Sequence, residues 1–227
     1  MALKPYYETA NGKLYLGDCL TIMPQLEPVD LCLTDPNYGI GEAAGKNKSR
    51  GCIAVSKDYG NDDWDNDIPP KEIFDYILSH SKYQIIFGGN YFVENLKNSP
   101  CWLVWDKDNG KTDFADCELA WTNFKTAVRK FKYRWQGMLQ ENGGKHKEKR
   151  YHPTQKPAGL FMQILTSYAQ TGWAICDPFA GSGTTGLACE RLQEMNLKYV
   201  LIEREEKYCE IAAKRLEQET SQLKLFR

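Results

Sequence analysis

The sequence predicts an α/β fold built on a mostly parallel sheet. Three observations carry this expectation. Short apolar runs alternate along the chain with stretches of helical periodicity. Several runs end on an acidic or polar residue, as buried strands do where they emerge at the carboxyl edge of a parallel sheet. One run passes directly into a Gly-x-Gly turn and then a helical stretch, the order that cradles a nucleotide against helix-start amides.

Each element has a local reason. Pro5 to Thr9 reads as a strand, Asn11-Gly12 as a two-residue turn, and Lys13 to Gly17 as the return strand. Val29 to Thr34 is a short buried strand ending at Asp35-Pro36. Residues 39–68 are rich in Gly, Asn, Asp, Lys and Ser without periodicity, so a functional or mobile loop is expected there. Pro70 can open a helix with Ile73, Phe74, Ile77 and Leu78 on one face. Tyr83 to Phe87 and Cys101 to Trp105 read as strands with Gly88-Gly89-Asn90 as a turn between them, and Glu118 to Thr122 as a further strand. Pro157 opens a helix with Leu160, Phe161, Ile164, Leu165 and Tyr168 in one stripe. Trp173 to Cys176 is the strand before the glycine turn, and the helix after it points Ala188, Leu192 and Met195 inward. Tyr199 to Ile202 is a strand ending at Glu203, and a last helix over 205–219 carries Tyr208, Ile211, Ala212 and Leu216.

Composition bounds the function. Hydrophobic residues make up 42% and aromatics 12%, too apolar for a disordered chain. A chain of 227 residues can bury roughly 70% of its unfolded surface, enough for one core without staples. The formal net charge of -1 excludes a polybasic coat protein or an acidic tail, but a basic face can be cancelled by acid elsewhere. The 8 cysteines include no CxxC pair and several fall in apolar runs, so they are expected to be reduced core thiols of a cytoplasmic protein. No apolar signal core or run of ~18 apolar residues is present, so neither secretion nor membrane spanning is expected. No metal site is expected.

The glycine turn, Asp177-Pro178-Phe179-Ala180-Gly181-Ser182-Gly183-Thr184-Thr185, lacks the lysine of a phosphate-binding loop and the third glycine of a dinucleotide fingerprint. Glu203 ends the next strand 26 residues after Asp177, where a carboxylate can accept both hydroxyls of a ribose. Acid before the turn repels a pyrophosphate but suits a cationic ligand such as S-adenosylmethionine, with its ammonium and sulfonium. Taken alone, an ordinary strand-to-helix turn reads the same way.

Asp35-Pro36-Asn37-Tyr38 resembles the Asp/Asn/Ser-Pro-Pro-aromatic signature of the DNA amino-methyltransferases. The turn Asp177 to Gly183 is similar to that family's cofactor motif. His152-Pro153-Thr154-Gln155-Lys156-Pro157 resembles the segment just upstream of it, and Leu16-Gly17-Asp18-Cys19 an N-terminal motif. The tetrapeptide precedes the glycine turn, as in the circularly permuted β group. The resemblance implies a Rossmann-like class I methyltransferase sheet in permuted motif order with an inserted target-recognition segment. It implies S-adenosyl-L-methionine as cofactor and adenine N6 in a specific double-stranded DNA sequence as target. Asp35 and the Pro36 carbonyl would accept the amino hydrogens, freeing the nitrogen lone pair for in-line attack, and Tyr38 would stack on a flipped base. By the same resemblance Asp18 would meet the cofactor's adenine and Glu203 its ribose. Thr154 and Lys156 would hold its carboxylate, with Asp35, Asp177, Phe179, Gly181 and Gly183 at its methionine end. Asn37 departs from the usual proline. Cytosine N4 methylation is the nearest alternative, with Asp35 favouring adenine; an inactive DNA-binding fold is an alternative of another class. A carbon-5 enzyme would need a nucleophilic cysteine and leaves the tetrapeptide unexplained.

The charge is unevenly spread. Residues 125–156 hold ten Lys and Arg against two Glu, a surplus of eight, so the rest of the chain stands at minus nine. Within an inserted segment expected over 107–151, Lys125, Arg129, Lys130, Lys132, Arg134, Lys145, Lys147, Lys149 and Arg150, interleaved with Phe131, Tyr133 and Trp135, are expected to meet DNA. A solvated loop neutralised by nearby acids is the alternative. Residues 39–66, beside Tyr38, are a second candidate for DNA contact or a lid. Residues 220–227 read as an exposed tail, in which Gln222, Leu223, Leu225 and Phe226 resemble a peptide that docks on the bacterial sliding clamp. The resemblance also suggests a homodimer and a bacterial or phage-encoded enzyme. One catalytic domain is expected to span 1–227.

Overall fold

A computed structural model of the chain describes residues 3–40, 68–110, 115–136, 139–141, 148–151 and 155–225. The chain enters through β1 (Tyr7–Glu8), β2 (Gly12–Leu16) and α1 (Cys19–Ile22), and crosses the centre as β3 (Val29–Thr34). Then come α2 (Lys71–His80), β4 (Ser81–Phe87), β5 (Trp102–Asp106), β6 (Cys117–Thr122) and β7 (Arg129–Lys132). A small ribbon of β8 (Trp135–Gln136) and β9 (Leu139–Gln140) precedes α3 (Ala158–Tyr168), β10 (Ala174–Asp177), α4 (Thr184–Arg191), β11 (Lys198–Glu203) and α5 (Glu206–Leu225). Among the described residues the main sheet runs β1-β2-β11-β10-β3-β4-β6-β5-β7.

The five central strands, β2, β11, β10, β3 and β4, are parallel, as their apolar runs require. Alternate side chains feed opposite faces. Leu31, Leu33, Ile85, Phe87 and Leu201 pack under α3, α4 and α5, with Leu160, Ile164, Ala188, Ala212 and Leu216. Cys32, Ile86 and Ile202 face the other way, toward Ile22 of α1 and Ile73, Phe74 and Ile77 of α2. Each fully buried leucine or phenylalanine contributes about 1.5–3 kcal/mol. The α3 N-terminus is closed from a distance, because the Ala158 amide donates to the Glu148 carboxylate at 3.1 Å. The chain leaves β3 for β4 and leaves β10 for β11, which lie on opposite sides of this neighbouring pair. Strand order therefore reverses between β3 and β10, and a crevice opens beyond their carboxyl ends.

Four expectations need correction. The first turn is one residue early: Thr9 and Gly12 face each other across Ala10-Asn11, and the Thr9 hydroxyl accepts from both the Asn11 and Gly12 amides. Gly12 instead lies in β2, where a Cβ would sit 2.3 Å from the Tyr199 ring. The segment 107–151 is not simply an insertion, since β6 is hydrogen-bonded between β4 and β5, and β7 forms the sheet edge. The last helix does not stop at 219: residues 220–225 continue α5, with the Thr220 hydroxyl donating to the Leu216 carbonyl. Met195 leaves the helical stripe for a 3-10 turn at Gln193–Met195 and is only partly buried. The other expected elements are found within a few residues of their positions. Cys19, Cys32, Cys101, Cys117, Cys176, Cys189 and Cys209 are free thiols, and all but Cys117 are buried. Among the described residues, no group of His, Cys, Asp and Glu could hold a metal, and no helix is long and apolar enough to cross a membrane.

Candidate active site

Four loops at the carboxyl edge of the sheet wall one cleft of about 450 Å³. Gly17 and Asp18 come from the β2–α1 corner, Asp35 to Tyr38 from the end of β3, Asp177 to Ser182 from the end of β10, and Glu203 to Glu205 from the end of β11. The reversal of strand order brings the second and third together. The Thr34 hydroxyl at the end of β3 donates to Asp177 at the end of β10, at 2.8 Å.

Asp177 is buried and also accepts from the Thr185 hydroxyl at 2.5 Å and the Phe179 amide at 3.1 Å, so it ties the turn to the sheet. Burial still pushes its carboxyl up, to about 6. Glu203 accepts the Gly181 amide on one oxygen at 2.7 Å and the Glu205 amide on the other at 2.8 Å. Burial raises it to about 7. Asp18 caps α1, taking the Leu20 amide at 2.9 Å, while it lines the cleft. Gly183 precedes α4 at φ +79°, and a Cβ there would come within 2.9 Å of the Ala212 Cβ. At Gly181, φ is +51° and a Cβ would meet nothing within 4 Å, so that backbone borders open cleft.

Asp35 sits in a half-buried charge cluster around the buried Lys156. Its carboxylate receives the Lys156 ammonium at 2.6 Å and the Tyr38 hydroxyl at 2.7 Å. Lys156 lies 3.1 Å from Glu118, whose other oxygen is 2.6 Å from Lys107. Burial raises the Asp35 carboxyl, with Lys156 and the Tyr38 hydroxyl opposing the rise. Burial would raise Glu118 too, but Lys156 and Lys107 outweigh it and hold that carboxyl at about 2. The two carboxylates likewise overcome burial at Lys156 and raise its ammonium. Tyr38 stacks on Tyr91 with centroids 5.0 Å apart and 18° between planes, over Gly88, where any Cβ would collide with the Tyr38 ring.

The fold therefore gathers Asp18, Asp35, Pro36, Tyr38, Lys156, Asp177, Phe179, Gly181 and Glu203 around one cleft, with Gly183 directly behind. Lys156 differs from expectation, because its ammonium lies between two carboxylates of this chain. Thr154 falls outside the described residues, as do His152, Lys145, Lys147, Phe226 and most of the loop after Ile40. Glu118 and Lys107 carried no sequence signal beyond lying in or beside strands. Of the basic residues, Lys130 pairs with Asp106 and both Lys132 and Arg134 pair with Asp108. Lys149 lies over the Tyr151 ring, and neither Lys125 nor Arg129 has an acidic partner at ion-pair distance among the described residues.

Comparison with known proteins decides the family. The profile of the DNA methylases, the N6/N4 amino-methyltransferases, matches residues 92–214, more than half of the chain. The chain belongs to the DNA methylase family. Among its relatives, the type II methyltransferase M2.MboI of Moraxella bovis is 25% identical over 99% of this chain and 95% of its own length. M2.LlaDCHI of Lactococcus lactis subsp. cremoris is 27% identical over 94% and 92%. The fold is shared with M1.HpyAVI, solved as a complex with SAM, at a TM-score of 0.54 and 23% identity over 90% of this chain and 100% of that one. It is shared with the cytosine-N4-specific PvuII DNA methyltransferase at 0.58 and 16%, over 96% and 93%. As a DNA methylase with the Rossmann-like sheet of these enzymes, the chain needs a methyl donor, and its cleft is chemically suited to one. Carboxylates at Asp18 and Glu203 can take hydroxyls or cationic groups, and the Gly181 backbone leaves room for them.

Proposed function

We propose that this chain methylates the exocyclic N6 amino group of adenine in a specific double-stranded DNA sequence, with S-adenosyl-L-methionine as donor and the target base turned out of the duplex. The carrying observation is that Asp35, at the end of β3, shares one cleft with the glycine turn and Glu203. A bound donor supplies a methyl group activated on a sulfonium. The chain's own residues would do the rest. Glu203 takes ribose hydroxyls on the lone pairs its backbone bonds leave open, and Asp18 reaches the adenine end. Asp35 and the Pro36 carbonyl each accept one hydrogen of the target amino group. That draws the nitrogen toward tetrahedral geometry and points its lone pair along the line of transfer. After transfer the nitrogen carries one proton too many, and Asp35 is the nearest group to receive it. Tyr38 offers a ring on which the flipped base can stack, once its contact with Asp35 gives way to the amino group.

The basic stretch within 107–151 is the proposed DNA surface. Its paired lysines and Arg134 keep 44–65% of their side chains exposed. Asp35 favours adenine over cytosine N4 through its resemblance to the adenine enzymes. The test is to methylate duplex DNA, digest it to nucleosides and identify the modified base by mass spectrometry, with Asp35→Ala in parallel. N6-methyladenine from the parent and no transfer from Asp35→Ala, with donor affinity within about threefold, is the expected result. N4-methylcytosine would replace the adenine reading, and an active Asp35→Ala would refute the mechanism.

A further inference from the structure

We propose that Glu118 is a positioning residue for Asp35, acting through the Lys156 ammonium that the two carboxylates share. This rests on Asp35 being the acceptor of the target amino group. The cluster is drawn from four separate parts of the chain. Asp35 follows β3, Lys107 follows β5, Glu118 lies in β6 and Lys156 precedes α3. Lys156 is 5% exposed and has oxygen partners at 2.6 Å on Asp35, 3.1 Å on Glu118 and 3.2 Å on the Tyr38 hydroxyl. Glu118 is bound in turn on its far side by Lys107 at 2.6 Å and receives the Tyr38 hydroxyl at 3.3 Å.

A lysine with a single carboxylate partner can follow that partner through several rotamers. Held between two carboxylates on different elements, its ammonium has one position, and Asp35 must come to it. The second oxygen of Asp35 is set by Tyr38, which Glu118 also contacts. Before the target base enters, Glu118 therefore bears on both groups that orient Asp35, and Lys156 keeps its hold once Tyr38 turns to the base. It lies in a strand bonded on both sides, so its backbone is fixed by the sheet rather than by a loop. Charge balances as well: Asp35 and Glu118 against Lys107 and Lys156. The carboxylate can thus stay ionised in a buried site without excess charge of either sign.

Among the described residues the titratable groups facing the cluster are Asp35, Tyr38, Lys107, Glu118 and Lys156, with Asp177 next in reach. Glu118→Gln removes a negative charge near both Asp35 and Lys156. Both groups then titrate at lower pH, because the Glu118 charge holds each of them up. The experiment is single-turnover methyl transfer at saturating DNA and donor, across pH, for the parent, Glu118→Gln and Asp35→Asn. Expected for Glu118→Gln is a rate constant lower by about 10–100-fold, with DNA and donor dissociation constants within about threefold and both limbs of the pH profile moved down. An unchanged rate and profile overturns the proposal. So does a rate that, per folded molecule, equals the parent's, or a loss that resides wholly in donor affinity. If Glu118→Gln does not fold, Lys107→Met is measured. Removing that cation should lower the rate in the same sense by about threefold or more and move the acid limb up; no change in either overturns the proposal. An active Asp35→Asn would sink the acceptor reading itself. An inactive Asp35→Asn beside a fully active Glu118→Gln would sink only the role of Glu118.

Discussion

Donor affinity should depend on pH through one carboxylate. Glu203 is the acid at the end of β11, 9% exposed, with its ordinary value of 4.5 raised to about 7 by burial. The raised value makes ionised Glu203 a cost to the folded protein. The stability contribution is fully present below 4.5 and is lost as pH rises through 7, amounting to about 3 kcal/mol. A ligand that donates two hydroxyls to the carboxylate recovers part of that cost, so it binds the ionised form. With a value near 7, about a tenth of Glu203 is ionised at pH 6 and about nine tenths at pH 8, so the donor dissociation constant should fall about tenfold across that interval. Asp177 titrates just below it, at about 6, and extends the dependence toward acid. Isothermal titration with S-adenosylhomocysteine at pH 6, 7 and 8 measures this. Glu203→Gln can accept only one of the two amides now bound, from Gly181 and Glu205, and should bind weakly with a flattened slope. A parent whose affinity is the same at all three pH values, or a Glu203→Gln variant with the parent's slope, refutes the reasoning.

The glycines of the turn and the basic surface give further outcomes. Gly183→Ala should destabilise by about 2–4 kcal/mol in urea unfolding, from the φ of +79° and the 2.9 Å approach to Ala212. Gly181→Ala has no such clash; it should cost about 1 kcal/mol but weaken donor binding by crowding the cleft. On DNA, Lys125→Gln and Arg129→Gln should each reduce the salt dependence of affinity by about one counterion. Lys132→Gln should do less, since that lysine already shares Asp108 with Arg134; equal slopes for all three would remove the distinction.

The sheet was legible because its strands are self-contained signals. Leu31 to Leu33 and Ile85 to Phe87 are apolar and buried on both faces, and these runs mark their strands without reference to neighbours. Asp35 and Glu203 were legible for the same reason, as polar ends of such runs. What escaped depends on pairing between distant segments. A single acid in Cys-Glu-Leu-Ala-Trp-Thr reads as solvent-facing, and only the packing of β6 beside the site brings Glu118 to Lys156. Asn11-Gly12 is a strong turn signal locally, but Tyr199, 187 positions from Gly12, needs the space a side chain there would fill. The end of α5 was cut short because its polar residues carry no apolar stripe, whereas the helix itself continues to Leu225.

The position of charge explains how one fold can hold both a cationic donor and a polyanion. Among the described residues the cleft is lined by Asp18, Asp35, Asp177, Glu203 and Glu205 against Lys156 and Arg204. Such a wall repels phosphate, so the duplex backbone has no favourable place in it, while a sulfonium and an ammonium do. The basic residues lie elsewhere, on β7 and the segment leading to α3, where Asp106 and Asp108 partly offset them. If that surface is the proposed DNA contact, phosphates drawn to it would remain outside the cleft, and an uncharged base could enter with less electrostatic cost than a phosphate. The charge pattern accords with the proposed turning-out of the target base, since electrostatics would then separate backbone from base before any contact with the base edge is made.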